Sequence, residues 1–203
     1  LVAERRAERA VVVGHDWGGV VAWRLAYSHP HVVRRLTVLD APHPAIFARE
    51  LRSPEQLLRS WYAGLFQLPW LPEMALGARD FRVVERVLRT GPARPGAFTD
   101  DDVRRHKQAL ARPGALTAMV NYYRAAFRRA RRESHAATVP VGCPTLVLWG
   151  ERDRYLRSEN LDGLDRFVPD LRVERFPNAT HWLPVDEPEA VSDRLVAWAS
   201  RGD

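Results

Sequence analysis

The sequence predicts an α/β protein with a mostly parallel sheet, interrupted by a long helical insertion. Three observations predict it. Residues 10–28 run from an apolar stretch through a Gly-flanked turn into a helical pattern. Apolar stretches of strand length recur at 36–39 and 145–149, and an alternating one at 171–176. From about 45 to 138 no such stretch appears, only helical periodicity punctuated by Pro and Gly. Strands that alternate with helices favour a parallel sheet covered on its faces.

Each element has a local reason. Residues 1–9 carry the charged pattern of the last turns of an amphipathic helix, with no signal-peptide core. Ala10-Val11-Val12-Val13-Gly14 reads as a buried strand and residues 17–28 as a helix, which His29-Pro30 ends because proline blocks its continuation. Leu36-Thr37-Val38-Leu39 is a second strand, and Asp40-Ala41-Pro42-His43-Pro44 breaks the pattern. Within the insertion, Pro69, Pro72, Gly91-Pro92, Pro95-Gly96 and Pro113-Gly114 separate short helices. Thr99 before Asp100-Asp101-Asp102 reads as a capped helix start. After Pro140 the alternation resumes with a strand at 145–149, a helix at 160–167, an alternating strand at 171–176 and a terminal helix at 188–200. The expected organisation is core over 1–44, insertion over 45–138 and core over 139–203, without internal repeats.

A chain of 203 residues that is 46% hydrophobic can bury a substantial single core. The net charge is +6, but the cations are scattered arginines, with Lys107 the only lysine. The densest run, Arg124 to Arg132, is an anion-binding face or, more simply, a solvated helix surface. Neither nucleic acid nor a membrane is expected as a partner, since no apolar stretch reaches the length of a bilayer span. One cysteine, Cys143, cannot form an internal disulfide, in keeping with a cytoplasmic location. His15, His29, His31, His43, His106 and His135 show no metal-ligand spacing, and no metal or organic cofactor is expected.

Gly14-His15-Asp16-Trp17-Gly18 sets a carboxylate on a sharp strand-to-helix turn, where small neighbours let the central side chain stand free. An ionised carboxylate can form an ester with an electrophilic carbon, which makes Asp16 a candidate nucleophile. Such an ester needs a base to activate water, and histidine suits that role. His181 follows the strand at 171–176, and Asp153 follows the strand at 145–149. Both fall at carboxyl ends of strands, where open parallel sheets place their sites. An Asp or His in a turn is alone more often structural. The order nucleophile, acid, histidine in this setting carries the inference.

Gly14-His15-Asp16-Trp17-Gly18-Gly19, Leu148-Trp149-Gly150-Glu151-Arg152-Asp153 and Thr180-His181-Trp182 resemble the soluble epoxide hydrolases and haloalkane dehalogenases of the α/β-hydrolase superfamily. The resemblance implies nucleophile Asp16, orienting acid Asp153, base His181, and a helical cap formed by the insertion. Asn121-Tyr122-Tyr123-Arg124 is similar to the epoxide hydrolases' Asn-Trp-Tyr-Arg segment, which implies Tyr123 as proton donor, with Tyr122 its rival. Ser60-Trp61-Tyr62-Ala63-Gly64-Leu65-Phe66-Gln67 resembles their other tyrosine segment and implies Tyr62. The Trp17 backbone N–H is expected in the oxyanion hole. The Trp17 indole leaves halide binding open. Trp61, Phe66, Trp70 and Trp182 are expected to wall the site, so the expected partner is a small hydrophobic epoxide, with oligomerisation left open.

The resemblance also implies a His-Gly-x-Pro loop and further strands ahead of the elbow, and no such motif occurs in this sequence. The N-terminal strands of the fold are therefore expected to be missing, with an exposed strand edge and a marginally stable, poorly active chain as consequences. Three readings follow: an epoxide hydrolase working through an Asp ester, a dehalogenase with the same nucleophile, or a truncated non-catalytic domain that binds a ligand or partner.

Overall fold

The computed structural model describes residues 9–130 and 139–201. The helix expected over residues 1–9 lies almost wholly outside the described residues, as do Arg131, Arg132 and His135. Four strands form one sheet in sequence order: β1 (Ala10–His15), β2 (Val33–Leu39), β3 (Thr145–Gly150) and β4 (Leu171–Phe176), all parallel. The registers set Val13 beside Thr37, Val38 beside Val147, and Leu148 beside Glu174, so the carboxyl ends of all four strands line one rim.

Two apolar clusters hold the sheet, one on each face. Side chains alternate along a strand, so Leu36 and Val38 meet Trp23 and Ala26 of α1 (Trp17–Ser28), with Val147 and Trp149. Leu39, Leu146 and Leu148 point the other way, onto Val191 and Trp198 of α9 (Pro188–Ala199). Both indoles are bonded as well as packed: the Trp23 N–H donates to Ala41 O (3.1 Å) and that of Trp198 to Leu36 O (3.2 Å). Every residue of β3 is buried, as a strand covered on both faces requires. Among the described residues β1 pairs with β2 alone, and Val13 is half-exposed on it.

Between β2 and β3 come α2 (Pro44–Glu50), α3 (Pro54–Arg59), α4 (Trp61–Leu65), α5 (Leu71–Thr90), α6 (Asp100–Leu110) and α7 (Ala115–Ala130). α5 changes direction at 78–81, where Arg79, Asp80 and Phe81 take left-handed backbone. α6 begins as the sequence predicts: Thr99 Oγ1 accepts from Asp102 N (3.2 Å), and Asp102 Oδ2 accepts from Thr99 N (2.9 Å).

The expected helix at 160–167 is a correction. The chain makes two 3-10 turns, Ser158–Leu161 and Leu164–Arg166, because Asp162 is extended and Gly163 left-handed between them. A final short helix, α8 (Leu183–Asp186), precedes α9.

Candidate active site

Asp16, Asp153 and His181 stand on the loops that follow β1, β3 and β4, and the shared rim brings them together. His181 Nδ1 lies 2.7 Å from Asp153 Oδ2, and its Nε2 lies 3.4 Å from Asp16 Oδ1. Asp153 is buried. Its other oxygen, Oδ1, accepts from the N–H groups of Tyr155 (2.6 Å) and Leu156 (3.0 Å), which leaves Oδ2 to the histidine.

Asp16 is held by strain. Its φ of 51° and ψ of −122° lie outside the ordinary regions for an L-residue, a conformation that costs about 1–3 kcal/mol and persists where surrounding bonds enforce it. Here Asp16 N donates to Leu39 O (3.2 Å) and Asp16 O accepts from Val20 N (3.0 Å). The glycines explain why the turn fits. A Cβ on Gly14 would press on the Gly18 carbonyl, 2.6 Å from its carbon, and one on Gly19 would collide with the Ala41 side chain. Gly18 has open space at that position, so the close approaches fall on Gly14 and Gly19. The resulting carboxylate is 47% exposed, where an incoming molecule can reach it.

The electrostatics pair these groups. Burial alone would lower the His181 pKa, but hydrogen bonds and charge from Asp153 and Asp16 outweigh it and raise the value to about 10. Burial would likewise raise Asp16, but the His181 hydrogen bond and charge, with the backbone N–H of Trp17, hold it below the usual carboxylate range. The resting site is therefore an Asp16 carboxylate facing an imidazolium. Trp17 N–H points at the Asp16 carboxyl itself, the group that would carry an oxyanion during ester hydrolysis.

Over this rim lie the aromatic side chains of the insertion. Tyr62 in α4 and Tyr123 in α7 meet edge to face with centroids 5.8 Å apart, and Phe66 packs on both, at 5.8 and 4.8 Å. Tyr123 also stands edge-on to Trp17 at 4.8 Å. The Trp17 and Tyr62 side chains adjoining Tyr123 oppose the rise that burial gives its pKa. Burial pushes Tyr123 up to about 12 against the pull of those neighbours, and burial drives Tyr62 higher still. The Asp16 charge opposes ionisation of both, so both phenols stay protonated at neutral pH. Tyr122 is 50% exposed and touches only the outer part of this cluster, through Trp17.

Arg124 fixes the arrangement. It makes a bidentate pair with Glu73 (2.6 and 3.1 Å) and donates to the carbonyls of Phe66 (3.0 Å) and Leu68 (2.7 Å). That ties the helix bearing Tyr123 to the turn after Tyr62. The reading of this residue as part of an anion-binding or solvated face is thereby corrected.

The expected aromatic walls divide. Phe66 is in the cluster, and Trp182 packs beside His181 (6.3 Å) and against Phe98 (5.2 Å). Trp61 and Trp70 are 66% and 69% exposed, so neither is a buried wall. Trp70 sits at a left-handed turn before α5 that carries its side chain to the surface.

Three residues of the site were not singled out from sequence. Tyr155 places its ring 5.2 Å from His181 and 5.8 Å from Tyr62, and its place two residues after Asp153 is the one signal for it. His15, next to the nucleophile, bonds through Nε2 to the His181 carbonyl (2.7 Å) and, kept neutral by burial and the His181 charge, anchors that loop. Asp40 ends β2 as Asp153 follows β3. Buried, it accepts from Gly150 N (2.7 Å), and burial holds its carboxyl well above the usual range. Among the described residues no group of three or more His, Cys, Asp or Glu is arranged to hold a metal ion, and no helix is long and apolar enough to cross a membrane.

A family described as alpha/beta hydrolase fold matches residues 6–188. Epoxide hydrolase 4 of Homo sapiens is 36% identical over 190 residues, which cover 91% of this chain and 51% of that protein. The AB hydrolase superfamily protein YfhM of Bacillus subtilis (strain 168) is 34% identical over 200 residues, covering 98% of this chain and 68% of the relative. The chain thus spans 51% and 68% of the length of these two relatives. Among solved structures, an epoxide hydrolase of Bacillus megaterium in complex with an inhibitor superposes with a TM-score of 0.83 at 26% identity, covering 98% of this chain and 72% of the other.

Proposed function

The chain belongs to the α/β-hydrolase fold family, and from that premise we propose that it opens an epoxide to a vicinal diol through an ester on Asp16. The observation that carries the proposal is the pair of protonated phenols, Tyr62 and Tyr123, within the field of a carboxylate that already faces a histidine. Similarity to named epoxide hydrolases supports it.

An Asp16 oxygen attacks one epoxide carbon and the ring C–O bond breaks. The leaving oxygen takes the Tyr123 proton, and the Trp17 N–H and Tyr62 O–H, on rings that pack against Tyr123, can turn to stabilise the resulting phenolate. Esterification removes the Asp16 charge. His181 then loses one of the two carboxylates that held its proton, its pKa falls, and it can release that proton through water toward the phenolate. Neutral imidazole next takes a proton from water, which attacks the ester carbonyl carbon while Trp17 N–H stabilises the oxyanion. Collapse expels the diol, protonated from His181, and the Asp16 carboxyl returns its remaining proton to His181. The helices over the rim act as a cap that excludes bulk water and supplies the phenols.

The packing of the Trp17 indole edge-on against Tyr123 (4.8 Å) favours this chemistry over halide release, where its N–H would have to face the leaving group. The test is a single turnover of the full gene product with a styrene-type epoxide in oxygen-labelled water. Mass spectrometry should find the label on Asp16, because hydrolysis at the carbonyl leaves solvent oxygen on the carboxylate. Diol formed with no label on Asp16 would exclude the ester route.

A further inference from the structure

The two loops that carry Asp153 and His181 are each fastened to the helical insertion by a polar residue outside the triad. On the acid side the fastener is Gln56, fully buried in α3. Its Nε2 donates to the Tyr155 carbonyl (2.7 Å) and to Ser60 Oγ (3.0 Å), while its Oε1 accepts from Arg157 N (3.1 Å) and Asn160 Nδ2 (3.0 Å). One turn on, Arg59 donates to the carbonyls of Asp153 (2.9 Å) and Leu156 (3.1 Å). Tyr155 and Leu156 are the residues whose N–H groups occupy Asp153 Oδ1. Their amides face the acid, and their carbonyls are gripped from α3.

On the base side the fastener is Asp186, at the end of α8. Its Oδ2 accepts from Thr180 N (2.8 Å) and Thr180 Oγ1 (2.6 Å), immediately before His181. Its Oδ1 accepts from Ala93 N (2.7 Å) and Arg94 N (3.3 Å), in the segment that joins α5 to α6. One carboxylate thus bridges the histidine loop and the insertion. Packing reinforces it: a Cβ on Gly91 would collide with the Trp182 indole N–H, and Phe98 stands against the same ring.

We propose that Gln56 and Asp186 are positioning residues, which transmit the seating of the cap to the Asp153–His181 pair. The physical reason is that neither triad loop is held by the sheet alone. Asp153 is aimed by peptide groups whose other ends belong to α3, and the residue before His181 is fixed by a carboxylate shared with the 93–94 backbone. Seating of the cap, which brings Tyr62 and Tyr123 over Asp16, therefore also sets the hydrogen bond on which the base depends. The inference rests on the proposed reaction for its consequence in turnover, but its geometric claim stands without it.

The test uses three variants of the full gene product. Gln56→Glu keeps the acceptor for Arg157 and Asn160 and removes the donor to Tyr155 O. Asp186→Asn leaves one oxygen to serve two sets of donors. Val33→Ala, in the buried start of β2 away from the rim, is the control for general destabilisation. The direct readout is the downfield proton resonance of His181 Nδ1 in the Asp153 hydrogen bond, which needs no substrate. It should weaken or broaden in Gln56→Glu and Asp186→Asn and persist in Val33→Ala at equal distance below each melting temperature. With substrate, kcat should fall at least tenfold in the first two with KM changed less than threefold, and stay within twofold of wild type in the control. If either fails to fold, Arg59→Met, at an exposed position, should show the same changes more weakly. Unchanged resonance in the folded variants, or its equal loss in Val33→Ala, would overturn the proposal. A normal resonance pattern with no diol from wild type would overturn the proposed reaction instead.

Discussion

The two halves of the site are held by different means. Asp16, Asp153 and His181 stand at the ends of parallel strands, and main-chain bonds aim them: a strained turn for Asp16, two N–H groups for Asp153, the His15 bond for the His181 loop. Tyr62 and Tyr123 stand on helices and are held by ring edges, by Phe66 and Trp17, and by Arg124 through its neighbours. In the proposed reaction, backbone geometry would fix where charge begins, and side-chain packing where it is neutralised. Strand-end positions tolerate little change of type. The packed aromatic half should degrade by degrees.

The sharpest way to break the comparison is at the strand ends. Asp16→Ala should lower diol formation by at least about 10³-fold, since it removes the bond-forming atom itself. His181→Gln should open one equivalent of epoxide and stop, with the ester accumulating on Asp16. Intact-mass analysis after rapid quench checks it, and multiple turnovers by His181→Gln would show that His181 is not the base.

In the aromatic half the effects should be smaller and unequal. Tyr123→Phe should slow epoxide opening about 10²-fold, the lower end of what a general acid contributes. Tyr62→Phe should cost less, because burial makes Tyr62 the weaker acid of the two. Ester hydrolysis, measured separately by single turnover, should change little in either. Equal losses would mean that the two phenols act symmetrically on the substrate.

The elbow itself permits a stability test of the same contrast. Gly14→Ala places a methyl against backbone and should destabilise by about 1–3 kcal/mol or more. Gly18→Ala meets open space and a helical site, and should be close to neutral. Thermal unfolding of the pair decides it, and similar midpoints would mean that Gly14 has room to shift.

The halves also differed in how much the sequence disclosed. The strands, the elbow and the order of Asp16, Asp153 and His181 were legible because short apolar or alternating stretches locate strand ends, and strand ends locate the rim. Asp40, which follows β2, was not singled out by that rule, and burial makes it a brace between β2 and β3. In the insertion, helical periodicity identified helices without saying which aromatic faces inward. Trp61 and Tyr62 are adjacent, yet one is exposed and the other lies in the cluster. Tyr123 and Tyr62 were reached through resemblance of short segments. Gln56 and Asp186 carried no sequence signal, since their partners lie 99 and 93 residues away in the chain.

The smallest effect separates a histidine that works from one that packs, and its sign differs between them. His181 is raised from its ordinary value near 6.5 to about 10, so its pairing contributes stability that is fully present below pH 6.5 and lost as the pH climbs through 10. His43, buried against Phe167 at 4.6 Å, is lowered by burial to about 4. Its neutral form is the one the fold accepts, so its contribution is present above pH 6.5 and lost as the pH falls toward 4. Each proton can tilt the unfolding free energy by at most about 1.4 kcal/mol per pH unit. Denaturant unfolding from pH 4 to 10 should therefore show His181→Gln flattening the alkaline limb alone and His43→Phe flattening the acid limb alone. If His181→Gln left the alkaline limb as steep as wild type, the imidazolium would not be paired with Asp16 in the resting state. The first step would then begin from a neutral histidine, with no charge for esterification to release.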